Sequence, residues 1–102
     1  MRIITFATPE ERALGLQHKA FIEDETLFVF PDIDGGHVFH SRNVPEPFDI
    51  AFLAYDGYCL RMTRMFPPDD VIEVPEEAVV ALESKPGNMA RWGIVQGSVV
   101  SL

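Results

Sequence analysis

Apolar residues along the chain gather in short blocks broken by Gly, Pro, Asp and Asn, a pattern that predicts strands joined by turns rather than long helices. The richest pair of blocks is Phe48 to Tyr55 and Tyr58 to Met65, on either side of Asp56-Gly57. That dipeptide suits the two positive-φ positions of a type I′ turn, so a β-hairpin with a two-residue loop is expected. In that register Asp49 faces Arg64, Ala51 faces Met62, Leu53 faces Leu60 and Tyr55 faces Tyr58 on one side of the ribbon. The other side sets Phe48, Ile50, Phe52 and Ala54 against Met65, Thr63, Arg61 and Cys59. Both sides are mostly apolar, which places the ribbon inside the fold with layers above and below it.

Around this hairpin the remaining blocks read in order. Met1 to Phe6 fits a strand at or near an edge. Thr8-Pro9-Glu10-Glu11 forms a capping box with Pro at the first helical position, and the helix should run from Pro9 to Leu16, with Ala13, Leu14 and Leu16 available to pack on the sheet. Glu23-Asp24-Glu25 reads as a solvated connector and Leu27 to Phe30 as a strand buried on both faces. Pro31 to Gly36 is a turn, His37 to Ser41 is extended, and Arg42 to Pro47, with two prolines, is an irregular crossover into the hairpin. After the loop Phe66 to Asp70, Val71 to Val74 makes a brief strand and Ala78 to Ser84 a buried one that stops at Pro86-Gly87. Asn88 to Trp92 is expected as one helical turn capped by Asn88, with Trp92 plugging one end of the core, and a final strand is expected over Ser98 to Leu102. The elements sum to a mainly β (α+β) fold with one short N-terminal helix and a second helical turn near the C-terminus.

At 102 residues the chain is expected to be one domain, large enough to bury a core without staples. No apolar run approaches the ~20 residues of a membrane-spanning helix, and the opening segment does not read as a secretory signal. With Cys59 as the sole cysteine no intrachain disulfide can form, so the chain reads as cytoplasmic and Cys59 as a small core residue. Sixteen acids against eight bases give a formal charge of −8, which favours solubility and argues against a nucleic-acid partner.

Candidate chemistry is sparse. His37 and His40 are three apart, so in a strand they point to opposite faces and cannot share an ion, and with Asp32 or Asp34 they match no zinc spacing; no metal site and no cofactor are expected. Asp49 is the most informative single residue. A carboxylate among Phe48, Ile50, Ala51 and Phe52 must stay at the rim or find partners, and Arg42, Asn43 and Arg64 are the candidates.

The order of Thr8-Pro9-Glu10-Glu11-Arg12 with Gly15-Leu16, Leu27 to Pro31, Phe39 to Asn43, Pro47 to Phe52 before Asp56-Gly57, Leu82-Glu83 with Pro86-Gly87, and Gly93-Ile94 with Gly97 resembles domain-of-unknown-function family 192. The resemblance implies a compact antiparallel β-sandwich or barrel-like domain with one short helix, and no agreed activity. This chain departs from the family's usual Met- and Trp-rich segments at Gln17, at Glu25-Thr26 and over Phe39 to Val44, so a surface that is greasy in the family is polar here. A shared pocket there would take a more polar ligand.

Three functions are compatible with these residues. The first is a non-catalytic binding module gripping a small polar ligand or peptide with His40, Arg42, Asn43, Asp49 and Arg64 at a concave opening. A self-assembly domain that meets a second copy through an apolar patch or a terminal strand is the second. The third is a hydrolase-type enzyme with His40 as base and Asp49 or Asp34 as its orienting partner; no nucleophile elbow, phosphate loop or paired catalytic acids supports it.

Overall fold

The computed structural model describes residues 1–102. Its elements are, in order, β1 (Arg2–Thr5), α1 (Pro9–Leu14), β2 (Thr26–Pro31), β3 (Val38–His40), β4 (Phe48–Ala54), β5 (Cys59–Met65), β6 (Val71–Glu73), β7 (Ala78–Ser84) and α2 (Asn88–Arg91). Five strands form one sheet in the order β1-β2-β7-β4-β5, and β3 pairs with β6 in a second, two-stranded sheet. The result is mostly β with two short helices, in a sandwich-like arrangement. The large sheet is mixed rather than antiparallel throughout, because β1 runs parallel to β2. It is also open, ending at β1 and β5, so it does not close into a barrel.

Alternation along the strands divides the interior in two. Phe28, Phe30, Phe48, Ile50 and Phe52 point to the face covered by Leu16, Val44, Ile72 and Val74, and make the larger core. Leu27, Val29, Ala51, Leu53 and Leu82 point the other way, onto Met89, Ile94 and Cys59. A strand buried on both faces should read as a continuous apolar run; β2 does over Leu27 to Phe30, and β4 and β7 do except at Asp49 and at Glu83-Ser84.

The hairpin forms, but at the end of the sheet. The middle strand is β7, with β2 on one side and β4 on the other, and β5 is an edge strand that exposes Arg61 and Arg64. Two arginines in seven residues are what an edge tolerates and a centre does not. The turn also differs from the type I′ expectation. Its loop is Tyr55-Asp56-Gly57, closed by Gly57 N–H to the Ala54 carbonyl at 2.9 Å and Ala54 N–H to the Tyr58 carbonyl at 2.9 Å, and only Gly57 has positive φ. The extra loop residue is offset by a bulge at Leu60: Leu53 pairs with Cys59, yet Phe52 pairs with Arg61. From Phe48 to Phe52 the partners are therefore those the alternation predicts.

The helices are shorter than their signals. α1 stops at Leu14, and Ala13 and Leu14 remain exposed while Leu16, past the end, enters the core. α2 is preceded by Gly87 in the left-handed conformation, not capped by the Asn88 side chain, which instead donates to Asp24 at 3.0 Å. No strand forms after Ser98. The Ser98 hydroxyl donates to the Val95 carbonyl at 2.7 Å and accepts from its N–H at 3.1 Å, curling the segment so that only an isolated Tyr58–Val99 bridge remains.

Candidate functional site

A cavity of about 160 Å³ opens between α1, β3 and the larger-core face of the sheet. Its helical wall depends on local chemistry. Thr8 accepts the Glu11 N–H at 3.1 Å while Glu11 accepts the Thr8 N–H at 2.9 Å, so both halves of the capping box are made and Pro9 starts the helix without a wasted donor. At the other end Gly15 has φ 54, and a Cβ there would lie 3.3 Å from the Phe30 ring. Glycine thus lets the end of α1 close down on β2, and Arg12, Gln17, Phe30, Phe39, Phe48 and His40 come to line one space.

The wall on β7 is Glu83, which the apolar reading of Ala78 to Ser84 passes over. It stands between Phe28 of β2 and Ile50 of β4, is 4% exposed, and faces the larger core. Burial alone pushes its carboxyl up to about 8, with no hydrogen-bond donor or cation of the protein acting to lower it. No sealed side-chain polar atom in the protein lacks a partner, so the Glu83 oxygens must retain access to the cavity they line. At neutral pH this acid is mostly protonated. A signal was present in the sequence: a lone carboxylate in a run that must be buried on both faces.

His40 is half-buried on the same cavity. Its Nδ1 accepts the Arg42 N–H at 3.1 Å, which leaves the proton of the neutral ring on Nε2. Arg42 itself is exposed, and Asn43, at φ 64, donates to Gln17 at 3.4 Å beside the cavity mouth. Ser41 is buried, with its hydroxyl accepting the Asp70 N–H at 3.0 Å and donating toward the Asp70 carbonyl at 3.1 Å.

Asp49 and Arg64 lie elsewhere. Asp49 alternates with Phe48 and Ile50 and therefore faces the smaller core, where it accepts Arg64 Nε–H at 2.8 Å and the Gly87 N–H at 2.8 Å. With both oxygens engaged it ties β4 to β5 and to the turn before α2, and with Arg64 it lines a wide, shallow depression with Gln96. The five residues singled out from the sequence thus divide between two faces of the sheet. His40 and Asp49, on opposite faces, form no base-and-orienter pair. The Cys59 thiol is buried, and burial pushes its ionisation up, away from a reactive thiolate. No three of His, Cys, Asp and Glu gather to hold a metal ion.

Fold and cavity together define a small, sandwich-like β domain with one pocket under its first helix. The chain belongs to domain-of-unknown-function family 192 (DUF192, uncharacterized ACR), which it matches over residues 1–102. It is similar to a crystal structure of a protein of unknown function from Novosphingobium aromaticivorans DSM 12444, with a TM-score of 0.82 and 27% identity over 100% of this chain and 75% of that one. It is also similar to a Sinorhizobium meliloti 1021 protein whose name proposes a transcription regulator, with a TM-score of 0.80 and 21% identity over 95% and 78% of the two chains. At that identity the second likeness bears on the fold alone. No curated protein matches the chain. No helix is long and apolar enough to cross a membrane.

Proposed function

We propose that the protein is a non-catalytic binding module that holds a small molecule in the cavity between α1, β3 and β7. One observation carries this reading: Glu83 is 4% exposed, borders the cavity and has no partner in the protein. Leaving a carboxyl buried and unpaired costs stability that a leucine at the same place would not, and such residues concentrate where a ligand supplies the missing partner. The space is of the right order, since a cavity of roughly 150 Å³ admits a benzene-sized molecule. Phe30, Phe39 and Phe48 give it apolar walls while Gln17 and His40 add a few polar groups, the usual composition of a ligand pocket. The excess of sixteen acids over eight bases weighs against nucleic acid as the partner.

A library of fragments with roughly six to ten heavy atoms, a size set by the cavity, screened by amide NMR of the intact chain, tests the reading. Saturable shifts confined to α1, β3 and β7 are expected. If every hit maps to the outer surface, or none saturates, the cavity is only a packing defect and the reading fails.

A further inference from the structure

Resting on that reading, we infer that the ligand is a small zwitterion of amino-acid type, its ammonium on Glu83 and its carboxylate on Arg12. Both side chains line the one cavity, an acid on the sheet wall and a base on the helix wall. Each lacks a charge partner in the protein. Lys19, Arg64, Lys85 and Arg91 are committed to Glu23, Asp49, Glu46 and Glu25; of the bases in no ion pair, Arg2, Arg12, Arg42 and Arg61, Arg12 is the one that lines the cavity. Arg12 gives one N–H to the Ala7 carbonyl at 2.8 Å and is part of no ion pair, so most of its five donors remain for a carboxylate.

Size fits as well. A sphere of the cavity's volume is roughly 7 Å across, and two hydrogen bonds of about 2.8 Å flanking a compact zwitterion span a similar width. Phe30, Phe39 and Phe48 line the cavity and accommodate a short apolar side chain beside the ammonium. An ammonium beside a ring is visible nearby, where that of Lys19 sits 5.6 Å from the centre of the Phe28 ring. His40, whose Nδ1 is taken by the Arg42 N–H, leaves Nε2–H as a further donor on the cavity wall.

The charge requirement makes binding depend on pH in one direction. Glu83 must ionise to hold an ammonium, and its flanking residues, Phe28 on β2 and Ile50 on β4, do not titrate. Across the cavity stand Arg12 of α1 and His40 of β3, while Lys19 is held by Glu23 at 2.9 Å. Since burial keeps Glu83 protonated up to about 8, affinity should rise about tenfold between pH 6 and pH 7.

The experiment is an amide NMR titration of the full chain with L-alanine, ethylamine and propanoate. Expected are cavity-confined shifts with L-alanine at least tenfold tighter than with either single-charge analogue, an affinity that climbs with pH, and at least tenfold loss in Glu83→Gln and in Arg12→Gln. A cooperative thermal transition confirms that each variant is folded, and the pH series on the unaltered chain needs no variant. Ethylamine or propanoate binding as tightly as L-alanine overturns the inference, as does an affinity that is flat or falls with pH, or no saturation by L-alanine. If neutral fragments still shift the cavity amides while L-alanine does not, the zwitterion is wrong and the binding module stands.

Discussion

Glu83 decides most of the chemistry available to this domain, and its effect on stability follows from burial alone. In the unfolded chain its carboxyl titrates near 4.5, whereas in the folded protein it holds its proton up to about 8. Below the unfolded value both states are protonated and the group costs nothing; between 4.5 and 8 only the unfolded state ionises, so the fold loses stability as pH rises and the loss levels off above 8. The expected loss is on the order of 5 kcal/mol across that window. Urea unfolding of the unaltered protein and of Glu83→Gln, from pH 5 to 8.5, should show the difference between them widening with pH in favour of the variant. Parallel pH profiles would mean that the carboxyl ionises freely in the fold. Of the residues legible in the sequence, Asp49 stood out because Phe48, Ile50, Ala51 and Phe52 surround it, and Glu83, preceded by an apolar run but followed by Ser84 and Lys85, hid at the end of that run. His40 could be placed on an extended segment, but not on the wall that Glu83 shares.

Among the elements, the hairpin shows how local signals are kept while their consequence changes. Its register over Phe48 to Phe52 survives a longer loop because the Leu60 bulge restores the pairing. What holds the hairpin to the rest is Asp49, which joins β4 and β5 through Arg64 and reaches the turn before α2 through Gly87. The two contacts are unequal. Arg64 is 47% exposed at its side chain, so Arg64→Ala should cost below about 1 kcal/mol, the range of an exposed ion pair. Asp49→Ala removes a buried acceptor from both partners and should cost about 2 kcal/mol. Urea midpoints with unchanged slopes measure both, and equal losses would show that the Gly87 bond contributes nothing. The helix starts were legible from Thr8 to Glu11, since a capping box depends on residues three apart. The end of the chain was not: a β-forming sequence after Ser98 is overridden by a hydroxyl that bonds to Val95.

For the domain taken entire, the division into two cores raises the question of whether they melt separately. They share β2, β7 and β4, whose alternate side chains point to opposite faces, so neither core can loosen without disturbing the strands that wall the other. The sole tryptophan, Trp92, packs only on the smaller core, next to α2. Its fluorescence and the far-UV circular dichroism of the full sheet should therefore give the same thermal midpoint. An earlier fluorescence transition would mean that α2 and the C-terminal segment unfold on their own. The amino-acid sequence was sufficient for the seven strands that form, the capped helix, the mainly β class and the pairing of Phe48 to Phe52, because apolar period, turn residues and caps act between residues close along the chain. Only the three-dimensional arrangement made β7 the middle strand, sent β5 to the edge and turned Asp49 away from His40. Strand order and the facing of side chains across a cavity are set by contacts between distant segments, and those leave no local period to read.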